Sequence, residues 1–140
     1  MNINRFLIFY LTAVFLLSCT NNVEPENTDT SLVCTNSTTV SFAADVQPVF
    51  TAKCAIGACH TTDFQSPNLS LGFSYLAIVN VPSTQTTNLV IPSDADGSYL
   101  YKKITNAPGI AGVPMPKTGE LSNEQTCIIH DWINAGALNN

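Results

Sequence analysis

Charged residues are scarce in this sequence, and basic residues are the scarcest. The 140 residues contain five lysines and arginines against ten aspartates and glutamates, so the formal net charge at pH 7 is −5. Proteins that bind nucleic acids usually carry lysine and arginine clustered on one face, often interleaved with aromatic residues. No such pattern is present here. The composition therefore argues against a nucleic-acid partner.

The sequence also lacks an apolar run long enough to cross a membrane as a helix, which needs about 20 residues. Its longest run, residues 6–17, follows a short polar start with Arg5, and this pattern is typical of a secretory signal peptide. The run ends in Leu-Leu-Ser before Cys19, which resembles a bacterial lipobox. We therefore predict a signal peptide over residues 1–18 and acylation of Cys19, which would anchor the protein to a membrane of the bacterial envelope. Ordinary secretion is the alternative.

Residues 19–40 contain little that is apolar and are rich in asparagine, threonine, serine and acidic side chains. A segment of this composition cannot bury enough surface to offset its conformational entropy. We therefore predict a flexible, lipid-anchored tether over residues 19–40. The remaining residues, 41–140, have the length of one small domain with a single core.

Short helical patterns separated by proline- and glycine-rich loops predict an all-α domain. The last pattern is the clearest, because Ser122 and Gln125 form a capping-box signature, an apolar stripe follows, and Gly136 ends it. Pro48 suits the first turn of an earlier helix, where its missing N–H costs nothing. The predicted helices are residues 46–53 with Asp45 as N-cap, residues 74–80, residues 97–104 with Asp96 as N-cap, and residues 123–135.

Two cysteines and a histidine form the most informative motif. Four residues separate Cys54 from Cys59, and His60 follows directly. Covalent haem attachment uses this arrangement, because each thiol adds to one vinyl group and the histidine ligates the iron. The usual spacing is two residues, so the longer loop must bulge, which Gly57 favours. A Cys54–Cys59 disulfide and half of a zinc site are the alternatives, although no second closely spaced ligand pair completes a zinc site.

Met115 is the one methionine that does not start the chain. It stands between Pro114 and Pro116, which predicts an extended loop that can present the thioether as a sixth iron ligand. A core methionine that fills a gap usually lies within a helix or strand instead. His130 is the rival ligand, but a histidine beside Asp131 in a helix is more often paired with a neighbouring carboxylate on the solvent side.

Two further cysteines, Cys34 and Cys127, remain after these assignments. An exported chain can oxidise such a pair to a disulfide, which would pin the end of the tether to the last helix. Two separate thiols are the alternative, because sequence alone does not test whether the Cα atoms come close enough.

Taken together, these motifs resemble a small bacterial lipoprotein cytochrome c of the class I type, over roughly Ser41 to Ala137. The motifs are much more specific together than singly. The residues that carry the resemblance are Asp45-Val-Gln-Pro-Val-Phe50, Cys54 to His60, Leu69 and Leu71, Ile91-Pro-Ser-Asp94 with Ser98-Tyr-Leu100, Pro114-Met-Pro116, and Leu121-Ser122 with Trp132-Ile133-Asn-Ala-Gly-Ala137.

The resemblance implies about four short helices wrapped around one covalent haem c. Cys54 and Cys59 would be the thioether residues, His60 the proximal iron ligand and Met115 the distal one. The sequence departs from the family in the four-residue spacing, which puts attachment through both cysteines in doubt. The apolar wall around the haem would come from Phe50, Leu69, Leu71, Tyr99, Leu100 and Trp132.

A histidine–methionine haem suits one-electron transfer. No nucleophile–base arrangement or pair of catalytic carboxylates accompanies the motif, so the expected role is an electron carrier and not an enzyme. Its partner would be a redox protein or respiratory complex at the envelope, facing the periplasm or the cell exterior. The alternative functions are a haem sensor or peroxidase-like module with a labile Met115, and a haem-free, disulfide-stabilised binding lipoprotein.

Overall fold

The computed structural model describes residues 32–140. The predicted signal peptide, the acylation of Cys19 and most of the predicted tether lie outside the described residues. The part of the chain that the structure describes contains four α-helices, a π-helical turn and isolated β-bridges but no β-strand, so the all-α prediction is confirmed. The elements are the π-helical turn Phe42–Val46, α1 (Gln47–Lys53), α2 (Ser74–Ile78), α3 (Tyr99–Thr105) and α4 (Asn123–Asn134).

The first helical segment begins one turn earlier than the sequence indicated. Ser41 is the N-cap, and its hydroxyl accepts a hydrogen bond from the Ala44 N–H at 3.2 Å. The prediction of Asp45 as N-cap is therefore wrong. Its carboxylate instead accepts from the Ser41 N–H at 2.8 Å, so serine and aspartate cap the turn reciprocally. An acidic group in the first turn also interacts favourably with the helix dipole.

Helix α3 begins after Ser98, so the prediction of Asp96 as its N-cap is wrong as well. The local aspartate that binds the backbone is Asp94, whose carboxylate accepts from the Gly97 N–H at 2.8 Å and closes a tight turn. The buried Ser98 hydroxyl donates to the Asp94 carbonyl at 2.7 Å and accepts from the Ile91 N–H at 2.8 Å. These bonds hold the turn that precedes α3.

Helix α4 matches its prediction. The Ser122 hydroxyl accepts from the Gln125 N–H, and the Gln125 side chain accepts from the Ser122 N–H, which completes the capping box. At the other end, Gly136 adopts φ 102°, a left-handed conformation that few other residues tolerate. The apolar stripe of α4 is fully buried at Ile129, Trp132 and Ile133.

The core lies between the π-helical turn and α4 and is rich in aromatic rings. Phe42 packs against Trp132 with ring centroids 5.1 Å apart and against Tyr75 at 5.3 Å. The Trp132 indole N–H donates to the Leu138 carbonyl at 2.8 Å, which satisfies its one polar group inside the core. Phe50 and Ile78 are also fully buried. The chain therefore builds a conventional core behind the loops that carry the cysteine motif.

Residues 32–40, predicted as the end of the flexible tether, lie against α4 and form a strap. The predicted disulfide between Cys34 and Cys127 is present, with the Cα atoms 5.1 Å apart. Asp131 of α4 is buried, and its carboxylate accepts from the Asn36 and Ser37 N–H groups and the Thr35 hydroxyl. The docked part of the chain therefore starts before residue 40, because one covalent bond and one buried carboxylate hold it.

The contribution of the strap to the stability of the fold is expected to depend on the ionisation of Asp131. Burial alone would raise the pKa of Asp131, but hydrogen bonds from His130, Ser37 and Thr35 outweigh burial and hold it below its usual value. The bound carboxylate therefore stabilises the fold above pH ~4, the pKa of an unfolded aspartate. This contribution is lost as the pH falls through the lower folded pKa.

We expect Asp131→Asn to reduce the free energy of unfolding at pH 7 by about 2 kcal/mol, the cost of losing charged hydrogen bonds at a buried site. Urea unfolding from pH 7 down to pH 2 measures this difference, which should shrink below pH ~4 as the wild type protonates. A difference that stays constant over the whole range would show that the charge of Asp131 is unimportant.

Among residues 32–140, no helix is both long enough and apolar enough to span a bilayer.

Candidate functional site

A cleft of about 450 Å³ opens between the loop after α1, helix α3 and the loop that joins α3 to α4. The four residues predicted to hold a haem, Cys54, Cys59, His60 and Met115, all line it. Met115 comes from a different part of the chain than the cysteine motif, yet the fold brings both to one cavity. Its volume lies within the ~300–1,000 Å³ typical of small-molecule and cofactor sites.

The loop that carries the motif accommodates the long cysteine spacing. Gly57 adopts φ 49° on the protein surface, as its position in the bulge predicted, and no atom lies within 4 Å of the place a Cβ would occupy. The Cys59 N–H donates to the Ile56 carbonyl at 2.9 Å, and the His60 N–H donates back to the Cys54 carbonyl at 3.1 Å. The bulge therefore points outward, and His60 lies next to Cys54 despite the extra residues.

The His60 imidazole is fixed by a backbone contact. Its Nδ1 lies 3.0 Å from the Pro67 carbonyl oxygen, which accepts only hydrogen bonds. The bond therefore requires the proton on Nδ1 and leaves Nε2 as the nitrogen with a free lone pair. Histidines that bind metals almost always donate their other ring N–H to a carbonyl or carboxylate in this way. The tautomer of His60 is thus the one that an iron ligand needs.

The two cysteines of the motif are free thiols, so the alternative of a Cys54–Cys59 disulfide is not what the structure contains. Cys54 is buried, and Cys59 is partly exposed. Burial, and secondly the charge of Cys59, raise the pKa of the Cys54 thiol to about 11. Cys54 is therefore uncharged at neutral pH, which suits a sulfur that ends as a neutral thioether in an apolar wall.

The cleft wall is apolar, and its charged lining residues are all of one sign. Leu69, Tyr99 and Leu100 line it, as predicted. The prediction was wrong for Leu71, which is 75% exposed, because the turn before α2 directs it away from the protein. The other two predicted wall residues, Phe50 and Trp132, are buried in the core and do not line the cleft. The charged lining residues are Lys53, Lys103 and Lys117.

His130 does not line the cleft. Its Nδ1 bonds to the Asp131 carboxylate at 2.8 Å, as the sequence indicated, and its Nε2 lies 3.1 Å from the Asn134 amide nitrogen. His130 and Asp131 also lie near Cys34 with the spacing of a metal site. However, the Cys34 sulfur is bound in the disulfide, so it is not a thiolate ligand. His60 is therefore the one histidine among the residues that line the cleft, and Met115 is the one methionine there.

Sequence reasoning missed several residues that build the site. Pro67 acts through its backbone carbonyl, a group that every residue carries, so no side-chain pattern indicates it. Lys103 was also missed, and Tyr99 was expected only as part of the apolar wall. Both residues hold the loop that carries Met115, Tyr99 through its hydroxyl and Lys103 through its side chain and its carbonyl. Their spacing of four residues on α3 places them on one helix face, which is the one signal the sequence offered.

Comparisons with known proteins give a similarity to a solved structure but not to a family. No known protein family matches the chain, and no curated protein is significantly similar to it. A solved structure of hydrazine synthase from Kuenenia stuttgartiensis is similar, with 26% sequence identity and a TM-score of 0.52. The similarity covers 70% of this chain and 16% of that chain. This chain therefore matches a small part of a much longer polypeptide, whose overall activity cannot be transferred to it.

Proposed function

We propose that this chain binds one c-type haem covalently through Cys54 and Cys59, with His60 and Met115 as iron ligands, and transfers single electrons. The observation that carries the proposal is the meeting of these four side chains in one cleft. Two thiols, one imidazole and one thioether are the donor set of a histidine–methionine c-type haem. Among the residues that line the cleft, no carboxylate competes for a metal.

Each residue has a distinct part in this function. When bound, the haem supplies a one-electron redox couple, and methionine ligation favours a comparatively high reduction potential. Cys54 and Cys59 would hold the haem covalently, and His60 would offer Nε2 because the Pro67 carbonyl binds its Nδ1 proton. Leu69 and the other apolar wall residues would exclude water from a bound haem and so disfavour its more highly charged ferric state.

Features outside the cleft also support an exported electron carrier. The Cys34–Cys127 disulfide is typical of proteins in oxidising compartments, where c-type haem is also attached. We propose that acylated Cys19 holds the domain at the bacterial envelope and that the electron partner is a redox protein or respiratory complex there. We also propose a carrier and not an enzyme, because in this function the thiols and the imidazole of the cleft, its candidate nucleophiles and base, are used to hold the haem.

Co-expression with c-type maturation machinery tests the proposal. We expect the purified full chain to retain haem after denaturation, with the added mass of one haem on the peptide that contains Cys54 and Cys59. The Cys54→Ser/Cys59→Ser variant should lose this covalent haem, whereas Cys34→Ser/Cys127→Ser should keep it. A wild-type protein without covalent haem would overturn the proposal, and attachment through Cys59 alone would show as haem retained in Cys54→Ser.

The same disulfide and cleft also favour a second function. A haem-free, disulfide-stabilised lipoprotein could bind an apolar small molecule between Leu69, Leu100 and Ile104, which line the cleft. The maturation experiment separates the two functions. Under this second function, the protein stays free of haem even when the machinery is present.

A further inference from the structure

The loop that joins α3 to α4 over residues 106–122 is restrained beside Met115 by Pro114 and Pro116, but the segment before Pro114 has little support of its own. Two of the three glycines of the loop, Gly109 and Gly112, lie in this segment and adopt φ 88° and 69°. Residues 111–114 are exposed, whereas Met115 is half-buried against the cleft. A glycine-rich, exposed loop samples many conformations unless neighbouring groups restrain it.

Helix α3 supplies the restraint through two residues one turn apart. The Lys103 ammonium donates to the Ala111 carbonyl at 2.9 Å and also to the Val113 carbonyl. The Lys103 carbonyl accepts from the Met115 N–H at 2.8 Å. One turn earlier, the Tyr99 hydroxyl accepts from the Ala111 N–H at 2.9 Å. These bonds fix the loop on both sides of Gly112.

The position of Lys103 in α3 explains why it can make these bonds. The last carbonyls of a helix have no partner within the helix, so the Lys103 carbonyl is available to the Met115 N–H. A cation near the helix C-terminus also interacts favourably with the helix dipole. Lys102 occupies the same end of the helix but makes no side-chain hydrogen bond to the described residues, which makes it a matched control.

We infer that Lys103 is a positioning residue that holds the Met115 sulfur over the cleft. This inference rests on the proposed function, because the consequence of the clamp is firmer ligation of a bound iron by Met115. Lys103 does not itself bind the iron. Its ammonium binds the Ala111 and Val113 carbonyls, which restrains the loop to one conformation.

The test compares Lys103→Leu, which keeps the apolar stem but removes the donors, with Lys103→Arg and with Lys102→Leu. The first readout is hydrogen exchange of the Met115 N–H in the full chain, whether or not haem is attached. We expect roughly tenfold faster exchange in Lys103→Leu, because the variant loses both hydrogen bonds of the ammonium, which are exposed and therefore individually weak. Lys103→Arg should restore most of the protection, and Lys102→Leu should match the wild type.

The second readout is made on the haem-loaded full chain. Lys103→Leu should lower the reduction potential, weaken the methionine–ferric absorption band and raise the rate of carbon monoxide binding roughly tenfold. Unchanged exchange in Lys103→Leu would overturn the clamp. Faster exchange with unchanged potential and carbon monoxide binding would overturn its effect on ligation while leaving the proposed function intact. A wild type without haem would overturn the proposed function and the ligation part of the inference, whereas the exchange result would still decide the clamp.

Discussion

Replacing Met115 with alanine is expected to open the proposed haem site to external ligands. In the proposed wild-type site, the thioether would occupy the sixth position, so the ferrous protein should resist carbon monoxide. In Met115→Ala, carbon monoxide should bind readily, and the reduction potential should fall by on the order of 0.1 V, within the ~0.8 V span that axial ligands control. Carbon monoxide titration and potentiometry measure these changes.

Leu76→Ala is the matched control for this experiment. Leu76 lies on α2, is exposed and does not line the cleft, so its truncation should leave the potential and the resistance to carbon monoxide unchanged. If Met115→Ala behaved like the wild type, Met115 would not be the sixth ligand. A wild type that itself binds carbon monoxide quickly would instead favour a sensor or peroxidase-like module with a labile methionine.

Removing the Cys34–Cys127 disulfide is expected to produce the largest loss of stability. The two cysteines are 93 residues apart, so the bond closes almost the whole folded domain into one loop. Cross-links of this kind usually contribute about 2–4 kcal/mol, and long loops contribute the most. We therefore expect Cys34→Ser/Cys127→Ser to lower the free energy of unfolding by about 3 kcal/mol, as measured by urea denaturation of the haem-loaded protein.

The control is the wild type with and without a thiol reductant. Reduction of the disulfide should shift the urea midpoint of the wild type towards that of the double variant. The midpoint of the double variant should not change when the reductant is added. An equal midpoint for all four samples would show that the hydrogen bonds of Asp131 alone hold the strap.

The helices were predictable where their signals are local. The capping box of Ser122 and Gln125 lies within one turn, so it could be recognised without knowledge of the fold. Asp45 and Asp96 were misassigned because both are typical cap residues, but nearby serines occupy the cap positions instead. Ser98 was not identifiable because its hydroxyl binds the preceding turn, which depends on how that turn folds.

The candidate site was likewise predictable in some features and not in others. Cysteine, histidine and methionine are rare in this chain, so their chemistry could be inferred from residue type and spacing. The contacts that orient these side chains could not be inferred from the sequence, because the Pro67 carbonyl and the Lys103 clamp involve groups with no distinctive sequence pattern. The exposure of Leu71 was also unpredictable, since an alternating or helical pattern does not specify which way an irregular turn faces.

The docking of residues 32–40 on α4 limits the length of the linker between the proposed lipid anchor and the folded domain. If Cys19 is acylated as proposed, residues 20–31 alone separate the lipid from the docked strap. Fully extended, that stretch spans at most about 45 Å. The domain would then stay within about this distance of the membrane surface. An electron acceptor within that distance would meet it at a high effective concentration, whereas an acceptor beyond it would be out of reach.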